Sequence, residues 1–457
     1  MTSLHCPSAL LPDGWFCNVR LEIDYDGTII SVESGAAEFG AERAAGPVVP
    51  GMPNLHSHSF QRALAGRTER AGPGSDDFWT WREVMYKFVD RVDPDALRAV
   101  TAWLYADMLK AGYTSVGEFH YLHHGPEGES YDDPAEMSHQ IVAAAKAAGI
   151  GLTHLPVLYT YGGFGEEPPN PSQRRFVCDP DLLMRIVDSI TQSTADDTQF
   201  AIGIAPHSLR AVSDDMLDAA ISTFSKSHAE APIHIHVAEQ LSEVEDCVLH
   251  TGLRPVAWAL DNLEISERWC LIHATHLAGS EISRLANSGA VVGICPTTEA
   301  NLGDGIFPAR SFLDAGGSFG IGSDSHITID PAEELRLLEY AQRLLYRHRY
   351  MLTTDTQPSV GAALYTGALK GGTQALARPI GEIAVGKRAD LVVLDEANIM
   401  LTEFEGDAIL DAWVFASHAN FVKDVMVGGQ WVVQDGRHQD EEAITDAARE
   451  ALSRTLT

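Results

Sequence analysis

The sequence predicts an α/β protein made of a (β/α)8, TIM-like barrel and a small β-sandwich domain built from both termini. Two observations predict it. Strand-like segments alternate with Ala-rich or amphipathic helix-like segments through the middle of the chain, the order typical of a barrel of parallel strands. Short segments of alternating apolar and polar residues, separated by glycine turns, occupy both ends of the chain. This pattern is typical of an antiparallel sheet. We therefore expect residues 49–380 to form the barrel and residues 1–48 and 381–457 to form the composite β-domain.

The two ends of the chain share one pattern. Segments 19–23 and 28–32 alternate apolar and polar residues on either side of Asp26-Gly27, and segment 422–427 leads into a Gly-Gly turn. Such segments are typical of short strands joined by tight turns. A domain assembled from both sets is split by the whole central part of the chain.

Composition excludes several classes of partner. The net charge of −32, from 64 acidic and 32 basic residues, repels nucleic acid and anionic membranes. No apolar run reaches the roughly 18 residues of a membrane helix, and the first residues lack the pattern of an export signal. The six cysteines are scattered without paired spacing, which suits a reducing compartment. We expect a cytoplasmic homodimer that acts on a small molecule, with no nucleic-acid or membrane partner.

The predicted barrel strands end in residues that can carry chemistry. In a barrel of parallel strands, the functional side chains lie at the carboxyl ends of the strands. Five of the eight predicted strand ends carry His or Asp. The predicted ends, in chain order, are His56, Glu118, Leu158, His207, His236, His273, Cys295 and Asp324.

Four of the residues near these ends form a candidate metal site. Side chains at i and i+2 of a strand point to the same face, so His56 and His58 can approach one ion. His236 is the expected third ligand, because His234 on the same face lies one layer deeper. Asp324 follows small residues that permit close approach. Three imidazoles and a carboxylate favour zinc, with iron or manganese as alternatives.

Two further residues supply acid–base candidates beside the predicted metal. A divalent ion lowers the pKa of a bound water to about 7, which supplies a nucleophile near neutral pH. Glu239 lies just beyond the strand of His236 and can shuttle protons to and from that water. His273 can polarise the electrophile or hold the attacking water.

These motifs together resemble the amidohydrolase superfamily. Segment 381–395 also resembles the entry of that superfamily into its accessory β-domain. Members with two metals use a lysine or glutamate near the fourth barrel strand as a bridge. The segment 202–207 offers no lysine. The resemblance therefore implies the one-metal deaminase branch.

Arginines near the expected mouth of the barrel predict the charge of the substrate. Gln61 follows the first metal motif, Arg82 lies in an aromatic segment, and Arg210 follows the segment that ends at His207. Arginine binds carboxylates through two parallel hydrogen bonds. The sequence therefore predicts a dicarboxylate substrate.

Segments 53–63 and 295–305 resemble formimidoylglutamate deiminases, histidine-degradation enzymes that convert N-formimino-L-glutamate and water to N-formyl-L-glutamate and ammonia. The resemblance implies that Asp324 accepts a proton from the attacking water, Glu239 protonates the leaving nitrogen, and His273 steadies the tetrahedral intermediate. It implies one divalent metal, held by His56, His58, His236 and Asp324. It also implies that the substrate carboxylates and backbone are bound by Gln61, Arg82, Tyr121, His207 and Arg210.

Three alternatives stay open on the sequence. A deaminase of the same branch could act on a purine or pterin ring. Formiminoaspartate could be the substrate, since one methylene is worth only about 1–3 kcal/mol of discrimination. A barrel without catalysis could serve as a scaffold. The glycine-rich segment 162–165 precedes several prolines, which predicts a long loop and not a phosphate-binding turn.

Overall fold

The computed structural model describes residues 1–70, 78–416 and 420–456 of the chain. Its strands, in chain order, are β1 (Thr2–Leu11), β2 (Gly14–Ile23), β3 (Ile29–Glu33), β4 (Glu42–Arg43), β5 (Val48–Pro50), β6 (Met52–Ser57), β7 (Tyr113–His120), β8 (Gly151–Leu158), β9 (Phe200–Ile202), β10 (Ala205–Pro206), β11 (Ile233–Val237), β12 (Trp269–His273), β13 (Val291–Ile294), β14 (Ser318–Ile321), β15 (Leu391–Leu394), β16 (Val422–Val427), β17 (Gln430–Gln434) and β18 (Arg437–His438).

The helices connect the strands of the central region and close the chain. They are α1 (Phe78–Val89), α2 (Pro94–Ala111), α3 (Glu136–Ala148), α4 (Pro180–Ser193), α5 (Asp214–Ser227), α6 (Leu241–Thr251), α7 (Pro255–Asn262), α8 (Gly279–Asn287), α9 (Pro296–Leu302), α10 (Ala309–Asp314), α11 (Pro331–Tyr346), α12 (Val360–Leu376), α13 (Asp407–Ala416) and α14 (Glu441–Thr455). Short 3-10 helices cover Ser59–Leu64, Pro171–Gln173 and Ile399–Leu401.

Strands from both termini form one sheet. Within the described residues its path is β18-β17-β16-β15-β5-β1-β2-β3, with β4 pairing with β1. The two halves of the chain meet where β5 pairs antiparallel with β15, Val49 opposite Val392. Apolar side chains such as Leu21 and Leu391 form a separate core cluster in this region. The mixed α/β class is therefore confirmed, while the sandwich stacking and the domain boundaries stay predictions.

The central strands are parallel and lie in two sheets that are joined at both seams. One sheet holds β6 to β10 and the other holds β11 to β14. Isolated parallel bridges join Ile204 to Ile233 at one seam and Ser57 to Asp324 at the other. In the described part of the chain, the parallel pairing therefore passes from β6 to β14 and returns to β6. All side chains of β6, β7, β8, β11, β12 and β13 are buried, as expected of strands covered on both faces.

One predicted strand is split in two. The segment expected to end at His207 forms β9 and β10, which both pair with β8. At the break, the Gly203 N–H donates to the carbonyl of His154. A Cβ at Gly203 would lie 2.5 Å from the carbonyl oxygen of Pro232, so the glycine permits a close approach of backbones.

Helix α12 packs directly under the strands that carry the predicted metal ligands. It contacts β6 and β14 through glycines that bring the backbones together. A Cβ at Gly371 would lie 1.9 Å from the carbonyl oxygen of Phe319, and the next glycine packs on Pro53. These close contacts support the two strand ends on which the site is built.

Candidate active site

A cavity of about 570 Å³ opens at the carboxyl ends of the parallel strands. Of the predicted site residues, only His56 does not line it; its Nε2 lies 3.0 Å from the His236 Nε2 at the cavity floor. The structure therefore brings the predicted residues to one place. Those lining the cavity are His58, Gln61, Arg82, Tyr121, His207, Arg210, His236, Glu239, His273 and Asp324.

The predicted metal ligands form one buried cluster. His56 and His58 come from the end of β6, His236 from β11, and Asp324 follows β14. The His58 Nε2 lies 3.3 Å from the His236 Nε2. The Asp324 Oδ1 lies 3.6 Å from the His56 Nε2 and 3.5 Å from the His58 Nε2. Each of these four donor atoms therefore lies within 3.6 Å of two others of the set.

The positions of the ring protons leave unprotonated nitrogen atoms in this cluster, and these favour binding of a cation. The Nδ1 of His58 donates to the carbonyl of Phe119 at 2.8 Å, and the Nδ1 of His236 donates to the carbonyl of His207 at 3.0 Å. Burial lowers the pKa of His58 to about 3 and that of His236 well below its ordinary value, so both rings are neutral. Their Nε2 lone pairs then face each other. A divalent ion bound by nitrogen and oxygen donors fits this arrangement.

His234, the alternative ligand on the same strand, lies elsewhere. It is fully buried, and its Nε2 donates to the carbonyl of Ala375 at 2.8 Å on α12. The predicted preference for His236 agrees with this placement.

His273 lies among three carboxylates. Its Nδ1 contacts the Glu299 Oε1 at 3.2 Å, and its Nε2 lies 3.9 Å from the Glu239 Oε1 and 3.8 Å from the Asp324 Oδ2. Burial lowers the pKa of His273, but the charges of Glu239, Asp324 and Glu299 outweigh it and raise that pKa to about 10. A protonated His273 can therefore donate a hydrogen bond into the cavity.

The strand ends at the site have strained backbones. Ala238, His273, Ala274 and Asp324 have φ angles of +51°, +68°, +47° and +48°, in the left-handed region that non-glycine residues rarely adopt. Such conformations cost about 1–3 kcal/mol each and persist where the surroundings enforce them. Here they turn the chain sharply at the positions from which Glu239, His273 and Asp324 reach the cavity.

Glu118 supports the first metal motif from behind. Its carboxylate accepts hydrogen bonds from the Ser57 Oγ at 2.6 Å, the Ser59 N–H at 2.7 Å and the Tyr105 hydroxyl at 3.0 Å. Burial raises the pKa of Glu118 to about 7 in spite of these bonds. The two serines flank His58, so the carboxylate fixes the backbone on both sides of that ligand.

A second set of buried hydrogen bonds ties the β6 end to the β14 end. The ring of His326 contacts the Ser57 Oγ at 3.1 Å and the Ser323 Oγ at 2.9 Å. The Asn54 Nδ2 donates to the Ser323 Oγ at 2.6 Å. The strand of His56 and His58 is thereby held in register with the turn that carries Asp324.

The supporting role of three carboxylates was not predicted from the sequence, although Glu118 was expected to end a strand. Glu243 accepts from the N–H groups of Ala238 and Glu239 at 3.1 and 3.0 Å, and Glu299 contacts His273. The third is Glu118. Glu243 lies four residues after Glu239 at the start of α6, a capping position that could have been noticed. Glu118 and Glu299 gave no periodic signal, because their partners are distant in the chain.

The opposite end of the cavity is lined by cations and hydrogen-bond donors. The Arg82 Cζ lies 5.5 Å from the centre of the Tyr86 ring. Burial raises the pKa of Tyr159, and the charges of Arg210 and Arg82 oppose that rise, which places both arginines near this hydroxyl. Burial lowers the pKa of His207, and the charge of Arg210 lowers it further, so that ring is neutral.

The cavity therefore holds charges of both signs. Of the described residues that line it, the acidic ones are Glu239 and Asp324, at the metal end. Between the two ends, the Gln61 Nε2 donates to the Tyr121 hydroxyl at 2.8 Å, and the Tyr121 ring lies 4.9 Å from the His58 ring. The arrangement fits a molecule with a polarised carbon–nitrogen group at one end and carboxylate at the other.

Comparison with known proteins identifies the family. Residues 48–432 match the model of the amidohydrolase family, and residues 1–46 match the model described as formimidoylglutamate deiminase HutF, N-terminal domain. The chain therefore belongs to the amidohydrolase family. Within it, the chain is 50% identical over 456 residues to formimidoylglutamate deiminase of Pseudomonas aeruginosa, covering 100% of both proteins. The resemblance predicted from the motifs is confirmed.

Solved structures agree with this assignment. An amidohydrolase from Brucella melitensis superimposes with a TM-score of 0.95 at 47% identity over 100% of both chains. An adenosine deaminase from Xanthomonas campestris, crystallised with bound zinc, shares the fold with a TM-score of 0.82 at 21% identity, covering 100% of this chain and 98% of its own. Among the described residues, we find no helix with the length and apolarity needed to span a membrane.

Proposed function

We propose that this amidohydrolase catalyses the formimidoylglutamate deiminase reaction, the hydrolysis of N-formimino-L-glutamate to N-formyl-L-glutamate and ammonia. The observation that carries the proposal is a single cavity that is lined by Glu239 and Asp324 together with the histidine cluster, and also by Arg82 and Arg210. The full-length similarity to a formimidoylglutamate deiminase supports the same substrate.

His56, His58, His236 and Asp324 would hold one divalent ion in this reaction. Their nitrogen and oxygen donors favour zinc, the ion bound by the Xanthomonas campestris protein of the same fold. When bound, such an ion supplies Lewis acidity and lowers the pKa of water to about 7. His56, His58 and His236 are 0%, 4% and 6% exposed and Asp324 is 5% exposed, so these ligands would hold the ion away from bulk water.

The residues around the cluster would move the protons. Water adds to the formimino carbon, and Asp324 accepts the proton that the water loses. Glu239 donates a proton to the imino nitrogen, which becomes an amine. The proton held by Asp324 then moves to the same nitrogen, Glu239 takes up the proton of the new hydroxyl group, the carbon–nitrogen bond breaks, and ammonia leaves with both carboxyl groups restored. The protonated ring of His273 donates a hydrogen bond that stabilises the tetrahedral intermediate. Glu243 and Glu299 hold Glu239 and His273 in place.

The rest of the cavity would bind the two carboxylates. Gln61 and Tyr121 lie next to His58 and would contact the part of the substrate nearest the reacting carbon. Arg82, His207 and Arg210 would bind the remaining carboxylate charge. Arg82 and Arg210 would favour a substrate that carries carboxylates over a neutral purine or pterin ring.

We propose the same larger organisation as the sequence predicted. Residues 49–380 would form a (β/α)8 barrel, and residues 1–48 and 381–457 would form a β-sandwich. The mixed sheet of both termini and the end of the N-terminal family match at residue 46 support this division. We also propose a cytoplasmic homodimer; Leu344 and Leu345 on α11, exposed at 79% and 50%, support an interface, and light scattering would test it.

Steady-state assays of ammonia release test the proposed function. We expect N-formimino-L-glutamate to exceed guanine and S-adenosylhomocysteine by several orders of magnitude in kcat/KM, and to exceed N-formimino-L-aspartate by about 10- to 100-fold. Turnover of a purine with no turnover of either formimino acid would refute the proposal. Comparable rates for the two formimino acids would support the proposed class of reaction but would contradict the assignment of N-formimino-L-glutamate as the specific substrate.

A further inference from the structure

The proline-rich loop after β8 is an ordered part of the cavity wall. Its ends are joined by two backbone hydrogen bonds between Tyr159 and Cys178, at 3.1 and 2.7 Å. Within it, Asn170 caps the 3-10 helix Pro171–Gln173 and forms a reciprocal pair of hydrogen bonds with Gln173. Gln173 is 1% exposed. The loop thus carries a buried amide to a defined position.

The orientation of that amide is fixed by its neighbours. The Gln173 Oε1 accepts the N–H of Asn170 at 2.8 Å, so the NH2 group faces the other way. It donates to the hydroxyl oxygen of Tyr159 at 2.6 Å. Since this oxygen accepts, the Tyr159 hydroxyl proton must be donated to a different group.

The surroundings of Tyr159 show where that proton can go. Tyr159 is buried, lines the cavity, and its ring lies 4.8 Å from the His207 ring. Arg82, Arg210 and Tyr86 line the same end, which holds no acidic side chain among the described lining residues. A ligand bound at this end of the cavity can therefore accept the Tyr159 hydroxyl proton.

We propose that Tyr159 is a substrate-binding residue, and that Gln173 is the positioning residue that directs its hydroxyl proton to the carboxylate lying farther from the reacting carbon. The assignment to that carboxylate rests on the proposed function. Tyr121 packs on the His58 ring at 4.9 Å and so serves the near part of the substrate, whereas Tyr159 lies beyond His207 with Arg82 and Arg210.

Binding of two ligands, one with a charged far end and one with a neutral far end, separates this role from a structural one. Calorimetry on the zinc-loaded protein would use N-formyl-L-glutamate and N-formyl-L-glutamine, which differ only in replacing the far carboxylate with a neutral amide. We expect Tyr159→Phe to weaken binding of the diacid by about 10- to 100-fold, since hydrogen bonds to charged groups are the stronger ones. The amide should lose less than about threefold. Tyr161→Phe, on the same loop but outside the cavity lining, is the matched control and should change neither.

Gln173→Glu tests the positioning step. A carboxylate at this place would still accept the Asn170 N–H and would capture the Tyr159 proton, so diacid binding should fall at least as far as in Tyr159→Phe. In the Tyr159→Phe background, Gln173→Leu should add little, because Gln173 acts through Tyr159. In steady-state assays, Tyr159→Phe should raise KM far more than it lowers kcat.

Equal losses for the diacid and the amide, or no loss in Tyr159→Phe with unchanged zinc content and thermal stability, would overturn the inference. Failure of the proposed function can be distinguished from failure of this binding role. If the wild-type protein binds the diacid in a Tyr159-dependent way but releases no ammonia from N-formimino-L-glutamate, the binding role stands and the reaction is wrong. If it releases ammonia with no dependence on Tyr159, only the binding role is wrong.

Discussion

The two ends of the cavity are built from different parts of the fold. At the metal end, His56, His236 and His273 lie on β6, β11 and β12, and the strand ends are held in register by buried hydrogen bonds. At the arginine end, Arg82 lies on α1 and Tyr159 begins a loop. Adjacent strands of a packed sheet fix their side chains closely, whereas connecting segments can vary without loss of the core. This difference indicates that the strand ends carry the catalytic chemistry, whereas the connecting segments determine which substrate is bound.

Substitution of the proposed proton donor should have the largest effect. Glu239→Gln preserves the shape of the side chain but removes the proton transfer, so we expect kcat to fall by about 10²- to 10⁴-fold with KM and zinc content little changed. Ammonia release and atomic absorption on the same sample measure both. Full turnover with zinc retained would remove Glu239 from the mechanism.

Removal of the charge at the arginine end should affect binding instead. We expect Arg210→Ala to lower kcat/KM for N-formimino-L-glutamate by about 10²-fold, mostly through KM, because the carboxylate loses a charged partner. Arg284→Ala, on the exposed face of α8, is the control. A loss that falls mainly on kcat would show that the two ends of the cavity are not separate in function.

A smaller effect is expected behind the metal motif. Glu118 accepts three hydrogen bonds, and Gln in its place would turn an NH2 group against one of the donors. We expect Glu118→Gln to weaken zinc affinity by about 10- to 100-fold and to shift the visible absorption of the cobalt-substituted protein. Glu339→Gln, which replaces another buried carboxylate remote from the cavity, controls for general destabilisation. An unchanged affinity and spectrum in Glu118→Gln would contradict the support role.

The same contrast explains how much the sequence predicts. His56, His236, His273 and Asp324 stand at the ends of apolar segments, and a parallel barrel brings such ends together, so their meeting could be predicted before the structure was known. The split of the fourth barrel strand at Gly203 could not be, because it depends on the approach of the Pro232 carbonyl from a distant segment.

The far wall of the cavity contains features that sequence patterns alone do not predict. Gln173 lies in a segment that predicts only a loop, and its role depends on hydrogen bonds to Asn170 and Tyr159 that no periodicity encodes. Arg82 and Arg210 were identified through their chemistry and a family resemblance. Their convergence beside Tyr159 is a property of the folded chain.

The central claim is that one metal ion at the histidine cluster acts on a dicarboxylate held by the other end of the cavity. Its most direct test is ammonia release from N-formimino-L-glutamate while metal-free protein is titrated with zinc. We expect activity to rise in proportion to added zinc and to reach its plateau at one ion per chain. Undiminished activity in the metal-free protein, or a plateau that requires two ions per chain, would contradict the account.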